Sequence, residues 1–343
     1  MKIITPSVEL MRTGLETETV TPEQFIEKVG RTCYKSEDKI TADSAAKFVG
    51  NLIKRGHEAM IEHWNLIFRV DAPIYESIMA DYDMLLHHGR ISTEEPLRPY
   101  IRFTDWQTDE LETRCVISGN MRAWRDFVKA CIEVYKLLPQ TLYGLVRNWP
   151  LFFPEYQDYA PAIFNNDILK PISVTDLVGD REIGTHWTVT AKFVCDRGVS
   201  HEMVRHRVAS FAQESTRYCN YSQDKFGQEI TVVRPSWCGE DSDVYDIWRK
   251  GVDRAESTYF DMLLSGAKPQ EARSVLPNSL KTEIIVTMNL NDWDHFFGLR
   301  CAPEAQPDMR EVACMARYLF HSELGDAVPR FKRNIAHKYI SEE

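Results

Sequence analysis

The chain has 343 residues and a formal net charge of -10, from 41 basic and 51 acidic side chains. That balance excludes a surface built to wrap nucleic acid or an anionic membrane, because non-specific polyanion binding rests on net positive charge. Hydrophobic residues at 43%, with 16 Phe, 14 Tyr and 8 Trp, exclude a disordered chain, and the length suits about two domains.

Met1–Leu10 carries one lysine and no long apolar run, so no leader peptide is expected. No stretch of about eighteen apolar residues predicts a membrane span. The eight cysteines are scattered without a Cys-x-x-Cys pair, which predicts reduced, mostly buried thiols in a cytoplasmic protein and no metal site. Thr21-Pro22-Glu23-Gln24 reads as a capping box with proline at the first helical position, opening a helix toward Tyr34. A second helix is predicted from about Asp43, burying Phe48, Val49, Leu52 and Ile53 and stopping at Gly56. Trp64, Leu66, Phe68 and Val70 alternate with Asn65, Ile67 and Arg69, the period of a strand. Another strand is expected near Cys115 to Ser118, then a helix from Asn120 with the stripe Trp124, Phe127, Val128, Cys131 and Val134.

Trp187, Val189, Ala191 and Phe193 repeat the strand period and lead to a short helix from about Ser200 that would carry His201 to Arg207. Val252, Ala255, Tyr259, Met262 and Leu263 form a helical stripe closed by Gly266. Glu283 to Asn289 predicts a strand, Asn291 to Leu299 a helix, and Pro307 opens a last helix toward Leu324. Interleaved strands and helices place the chain in the α/β or α+β class. His63-Trp64, with Asn120, Trp124 and Phe127, is echoed by His186-Trp187, with Asn289, Trp293 and Phe296. Strands running into Asn-capped helices produce such a match by chance as well as by duplication.

Neither G-x-G-x-x-G nor G-x-x-x-x-G-K-[ST] occurs, so a nucleotide site must be built from side chains. The segment from Arg205 to Arg217 concentrates Arg205, His206, Arg207, Ser210, Ser215 and Arg217 in an acidic protein. Read blandly, it is a solvated basic helix end paired with Glu202 and Glu214. Read sharply, it is an anion site, since arginine forks take phosphate bidentately and serine hydroxyls complete its hydrogen bonds.

Arg205-His206-Arg207, seven residues and then Ser215, continuing through Arg217-Tyr218, resembles the signature of the flavin-dependent thymidylate synthases. Other landmarks of that family follow in order. Gly56-His57-Glu58 with Glu62-His63 lies upstream, and Glu271-Ala272-Arg273-Ser274-Val275-Leu276-Pro277 lies downstream. Asn289 and then Leu299-Arg300 with Ala305-Gln306 complete the set. The resemblance implies a thymidylate-synthase-complementing fold, with a mixed or antiparallel sheet core flanked by helices. It also implies reductive methylation of dUMP to dTMP, with FAD as cofactor and NADPH and 5,10-methylenetetrahydrofolate as co-substrates. A homotetramer with shared active sites is implied, without membrane or nucleic-acid partners.

By the same resemblance, Arg205, His206, Arg207, Gln213, Asn289, Asn291 and His295 would contact the flavin. Glu202, Arg205, Gln213, Glu214, Ser215, Thr216, Arg217, Arg273 and Arg300 would form the dUMP site. Arg300 would be catalytic, set against the uracil. A guanidinium there suits the chemistry, because uracil is a poor carbon nucleophile until negative charge builds on the ring. His206, between two arginines, would add to a cationic environment for the cofactor.

The family core is expected at 1–72 and 185–343, with 73–184 a folded insertion of open role. That insertion contains Glu94-Glu95-Pro96-Leu97-Arg98-Pro99-Tyr100. Ala59 stands where many members carry a hydroxyl residue. Cys219 lacks the Pro-Cys-His context of a thiolate nucleophile and reads as a packed thiol. Ser215 lacks a triad partner and reads as a ligand. His57 and His63 are six apart and miss the helical spacing of a zinc hydrolase, and His87-His88 reads as surface. A nucleotide- or RNA-binding protein without turnover, and a flavoenzyme methylating uracil in RNA, are the competing readings.

Overall fold

The computed structural model describes residues 1–16, 20–87, 100–107, 113–179, 183–217, 219–223 and 226–328. His88, Glu94 to Pro99 and Tyr218 therefore lie outside the described residues. The elements up to the first long helix-rich stretch are β1 Lys2–Ile4, β2 Ser7–Arg12, α1 Pro22–Tyr34, α2 Ser44–Lys54, β3 Asn65–Val70 and α3 Ala72–His87. Then come β4 Ile101–Gln107, β5 Thr113–Asn120, α4 Met121–Tyr135, α5 Tyr143–Asn148, β6 Lys170–Pro171 and α6 Ile183–His186. Next are β7 Thr188–Asp196, α7 Arg197–Met203, β8 Ser210–Gln213, β9 Thr231–Val233 and α8 Asp243–Leu264. The last are α9 Pro269–Ala272, β10 Lys281–Asn289, α10 Leu290–Arg300 and α11 Pro307–Leu324. Among the described residues no helix is long and apolar enough to cross a membrane.

The expected capping box is present: the Gln24 N–H donates to Thr21 Oγ1 at 3.3 Å, and the Thr21 N–H donates back to Gln24 Oε1 at 3.1 Å. At the end of α2, Gly56 takes φ +69°, a left-handed conformation that costs a glycine little.

The contacts divide the chain into two compact units. One comprises Met1–Thr13, Val29–Asp38 and Val189–Glu343, the other Gly14–Lys28 and Lys39–Thr188. Packing thus groups residues 39–72 with the segment read as an insertion, because β3 pairs along its whole length with β5, Phe68 opposite Ile117.

The first unit holds a four-stranded sheet in the order β2-β7-β10-β8 and a separate parallel pair, β1 with β9. β7 is antiparallel to β2, and β8 antiparallel to β10. The apolar positions of β7 are buried at Val189, Ala191 and Phe193, as the alternation predicts. Trp293 of α10 is fully buried, stacks on Phe193 and Phe297, and donates from Nε1 to the Val189 carbonyl at 3.0 Å. An indole buried in a core keeps its one donor satisfied in this way.

In the second unit the sheet order is β4-β5-β3-β6. Leu66, Ile67 and Phe68 are all buried, so β3 is covered on both faces instead of alternating. The core gathers Phe68, Tyr82, Trp124 and Phe127, with Phe68 edge-on to Trp124 at 5.5 Å. The internal echo acquires structural content. Both sheets run edge strand, Asn-terminated strand, His-Trp-led strand, edge strand, and Asn120 and Asn289 each cap the following helix through Oδ1.

Arg125 of α4 is buried and donates to the Phe152 carbonyl, to Glu155 Oε1 and to Glu58 Oε1 at 3.2 Å. Replacing it with methionine leaves three acceptors short of a donor. Glu155 and Glu58 retain some water, with side chains 42% and 22% exposed. The expected cost of Arg125→Met in denaturant unfolding is therefore about 1–3 kcal/mol; a variant as stable as the parent would contradict this pairing.

Candidate active site

Asp196 begins the site: its Oδ1 accepts the Val199 N–H at 2.6 Å and caps α7. The helix ends at Met203, and the chain must then reverse to lay Ser210 opposite Thr287 of β10. Arg205, His206 and Arg207 therefore sit in the reversing turn, not on the helix expected to carry them. The turn sorts them by polarity, with both arginines exposed and His206 buried. Arg207 Nη1 donates to the Val204 carbonyl at 2.7 Å.

The His206 ring lies 5.3 Å from His295 and edge-on to Phe296. Burial, reinforced by His295, lowers its pKa to about 4, and its ring bonds the Asp292 backbone. The imidazole is consequently neutral near pH 7. The arginine whose charge reaches the ring is Arg300, and it adds to the lowering. Nε2 is buried without a hydrogen-bond partner among the described residues, which leaves its acceptor capacity unspent.

Arg300 closes α10 and is held by Glu202 of α7. Nη1 donates to Glu202 Oε2 at 3.3 Å and Nη2 to the Glu202 carbonyl at 3.1 Å, while Nε is buried and without a partner among the described residues. Glu202 also lines a cleft of about 770 Å³ with His201, Trp237, Trp248, Asn278 and Asp308.

β8 leads away from the turn. Gln213 Nε2 donates to Ser200 Oγ at 2.8 Å and to Thr282 Oγ1 at 3.2 Å, and Glu214 accepts from Lys281 Nζ at 2.9 Å. Those two side chains, expected at the flavin or nucleotide, are engaged within the unit's own framework. Ser215 is anchored by its N–H to the Cys33 carbonyl at 3.0 Å, and its Oγ accepts the Arg217 N–H at 3.3 Å. Arg273 Nη1 donates to Thr216 Oγ1 at 3.1 Å. Arg217 and Arg273 are exposed, as are Asn291 and His295, whereas Asn289 is buried as the cap of α10. The fold thus joins Glu202 to Arg300, His206 to His295, and Thr216 to Arg273. Cys219 is fully buried in an apolar cluster with Tyr221 and Tyr259, as its reading as a packed thiol requires.

Three supports escaped sequence reading. Lys281 and Lys35 clamp Glu283 at 2.6 Å each, directly beside the Glu214 pairing. Glu58 and Glu62, two of the upstream landmarks, pair with Arg125 and with Arg122, the latter at 2.6 Å. Only the i, i+2 spacing of Lys281 and Glu283 on one strand face hinted at any of these.

Burial pushes the Glu283 carboxyl upward, but Lys281 and Lys35 outweigh it and hold the pKa at about 2. A folded-state pKa below the unfolded value gives stability that is complete above pH 4.5 and lost as pH falls toward 2. Glu283→Gln should remove on the order of 3 kcal/mol at neutral pH and flatten that acid limb. An unchanged pH dependence of urea unfolding would contradict the clamp.

Arg205, Arg207, Arg217 and Arg273 are exposed and supply guanidinium donors in an acidic chain, while Arg300 Nε and His206 Nε2 lie buried without a partner among the described residues. That set fits phosphorylated ligands and a planar ring with hydrogen-bonding edges, a dinucleotide flavin included. Among the described residues no group of three His, Cys, Asp or Glu could hold a metal ion.

The family profile described as thymidylate synthase complementing protein matches residues 15–79 and 176–324. Over 152 residues the chain is 38% identical to the flavin-dependent thymidylate synthase of Pyrococcus furiosus, covering 44% of this chain and 62% of that relative. Over 117 residues it is 36% identical to the flavin-dependent thymidylate synthase of Geobacter sulfurreducens, covering 34% and 49%. These matches span about half to three-fifths of the length of the relatives. With the profile matching more than half of its residues, the chain belongs to the thymidylate synthase complementing family.

Proposed function

We propose that this protein is an FAD-dependent thymidylate synthase that methylates dUMP, taking carbon from 5,10-methylenetetrahydrofolate and electrons from NADPH. The observation that carries the reading is Arg300: a guanidinium braced on Glu202, with a buried Nε that no described residue satisfies. A fixed cation with a spare donor suits an oxygen or nitrogen of a uracil ring that must gain negative charge before it reacts. Arginine keeps its proton when desolvated, whereas lysine can lose it.

Bound FAD would supply the hydride chemistry. Arg205 and Arg207 would hold its phosphates, and neutral His206 would offer Nε2 as an acceptor. Asn291 and His295, exposed on α10, would complete the flavin contacts, with Asn289 fixing the start of that helix. For dUMP, Ser215, Arg217 and Arg273 supply hydroxyl and guanidinium donors to the phosphate. Thr216 orients Arg273, Glu214 anchors the strand end through Lys281, and Gln213 ties that end to α7. No protein nucleophile is needed, since holding the rings together in reactive orientation supplies much of the rate. The homotetramer with shared sites and the cytoplasmic location belong to the same proposal.

Arg217→Ala should weaken dUMP binding by about 1.5–3 kcal/mol, the worth of a charge-assisted hydrogen bond. Calorimetric affinity unchanged in the folded, flavin-loaded variant would remove Arg217 from the phosphate site. The proposal as a whole is tested by the absorption spectrum of the purified protein with added FAD under anaerobic conditions. Retained flavin that bleaches with NADPH is expected; a protein that takes up no flavin contradicts the reading.

A further inference from the structure

β8 and β10 meet at a network of opposite charges largely shielded from water. Glu214 continues β8, its N–H donating to the Glu283 carbonyl of β10 at 2.8 Å. On β10, Lys281 and Glu283 share a face, while Thr282 between them points the other way and accepts from Gln213. Lys281 Nζ lies 2.9 Å from Glu214 Oε2 and 2.6 Å from Glu283 Oε1. Lys35, just after α1, reaches the same Glu283 oxygen at 2.6 Å. The Glu214 side chain is 3% exposed, and Lys281 is the one cation the structure pairs with it among the described residues.

Ser215 follows Glu214 in the chain, so the network adjoins the segment proposed to hold the dUMP phosphate. The Ser215 N–H is held by the Cys33 carbonyl at 3.0 Å, Thr216 accepts from Arg273, and Arg217 is exposed. The Glu214 main chain is fixed without Lys281: its N–H goes to Glu283, and its carbonyl accepts from Arg197 Nη1 at 3.4 Å. What Lys281 adds is charge. Glu214 and Glu283 are balanced by Lys281 and Lys35. Without Lys281, a buried carboxylate is left uncompensated next to a ligand of a phosphate dianion. Like charges so placed repel strongly, because little water is left between them to weaken the field.

We propose that Lys281 is a positioning residue for the nucleotide phosphate, acting through Glu214 by holding and cancelling the carboxylate beside Ser215. The inference rests on the proposed dUMP site at Ser215, Arg217 and Arg273. Lys281 touches no ligand in this scheme, since its ammonium is held in the framework by Glu214 and Glu283. Its charge lets the guanidiniums of Arg217 and Arg273 act on the phosphate unopposed. The ring chemistry is insulated from it, because Arg300 is braced on Glu202 of α7 and not on this network.

The test is calorimetric titration of the folded, flavin-loaded full chain with dUMP, alongside the single-turnover rate at saturating dUMP. Lys281→Met should weaken dUMP binding about ten- to a hundredfold and leave the saturated rate unchanged. Lys281→Arg, which keeps the charge, should bind dUMP as the parent does. Adding Glu214→Gln to Lys281→Met removes the uncompensated carboxylate and should return most of the lost affinity, a rescue that a merely structural lysine would not give. A Lys281→Met variant that binds dUMP as tightly as the parent, or a double variant that stays as weak as the single one, would overturn the proposal and leave the dUMP site standing. A parent protein that binds no dUMP would bring down that site, and the proposal with it.

Discussion

Arg300→Ala is expected to lower turnover at saturating dUMP by about 10²–10³-fold, the usual cost of removing one preorganised donor at developing negative charge. The size of the effect rests on how Arg300 is held. Two hydrogen bonds to Glu202 fix the guanidinium before any ligand arrives, so little reorganisation is left to the reaction itself. Binding of dUMP should suffer less than turnover, because in the proposed site Ser215, Arg217 and Arg273 would hold the phosphate. A single-turnover rate at saturating nucleotide separates the two effects. A rate equal to that of the parent enzyme would strip Arg300 of its activating role, whatever happened to affinity. Arg300→Lys should recover only part of the rate, since an ammonium cannot reproduce the two-pronged contact with Glu202.

The second large effect concerns the framework of the same unit. Trp293→Ala should destabilise the unit carrying β7 and β10 by about 3–5 kcal/mol, from lost burial and the cavity left behind. Trp293 is fully buried and touches Phe193, Phe296, Phe297 and Phe320, so few of its neighbours can collapse into the space. The change also leaves the Val189 carbonyl without its indole partner. Hydrogen exchange across α10 in mild denaturant gives the reading. Protection unchanged in the variant would mean that α10 is held by something other than this tryptophan.

What could be read in advance follows the range of the forces involved. The helix from Pro22, the stop at Gly56, the Asn120 and Asn289 caps and the last helix from Pro307 are decided by neighbours within four residues, and they stand where expected. The turn carrying Arg205, His206 and Arg207 was misplaced onto a helix because its position is decided by β8, which exists through pairing with β10. For the same reason the pairing of Glu58 and Glu62 was not legible: their partners Arg125 and Arg122 lie on a helix some sixty residues away.

The site shows the same division. The Arg205-to-Arg217 segment was legible as a dense cationic run, and the structure keeps its three guanidiniums exposed. The charge state of His206 was not legible, since it depends on burial against Phe296 and on His295. Nor were the separate contacts of neighbouring residues, with Gln213 and Glu214 turned into the framework and Ser215 Oγ next to them accepting the Arg217 N–H.

The measurement that tests the central claim most directly is dTMP formation from dUMP by the purified full chain. The protein would be supplied with FAD, NADPH and 5,10-methylenetetrahydrofolate, with Arg300→Ala as the matched control. The account predicts dTMP in amounts exceeding the enzyme many times over, dependent on all four components and reduced at least about a hundredfold in the variant. Flavin-loaded, folded protein that binds dUMP and yields no dTMP would contradict it.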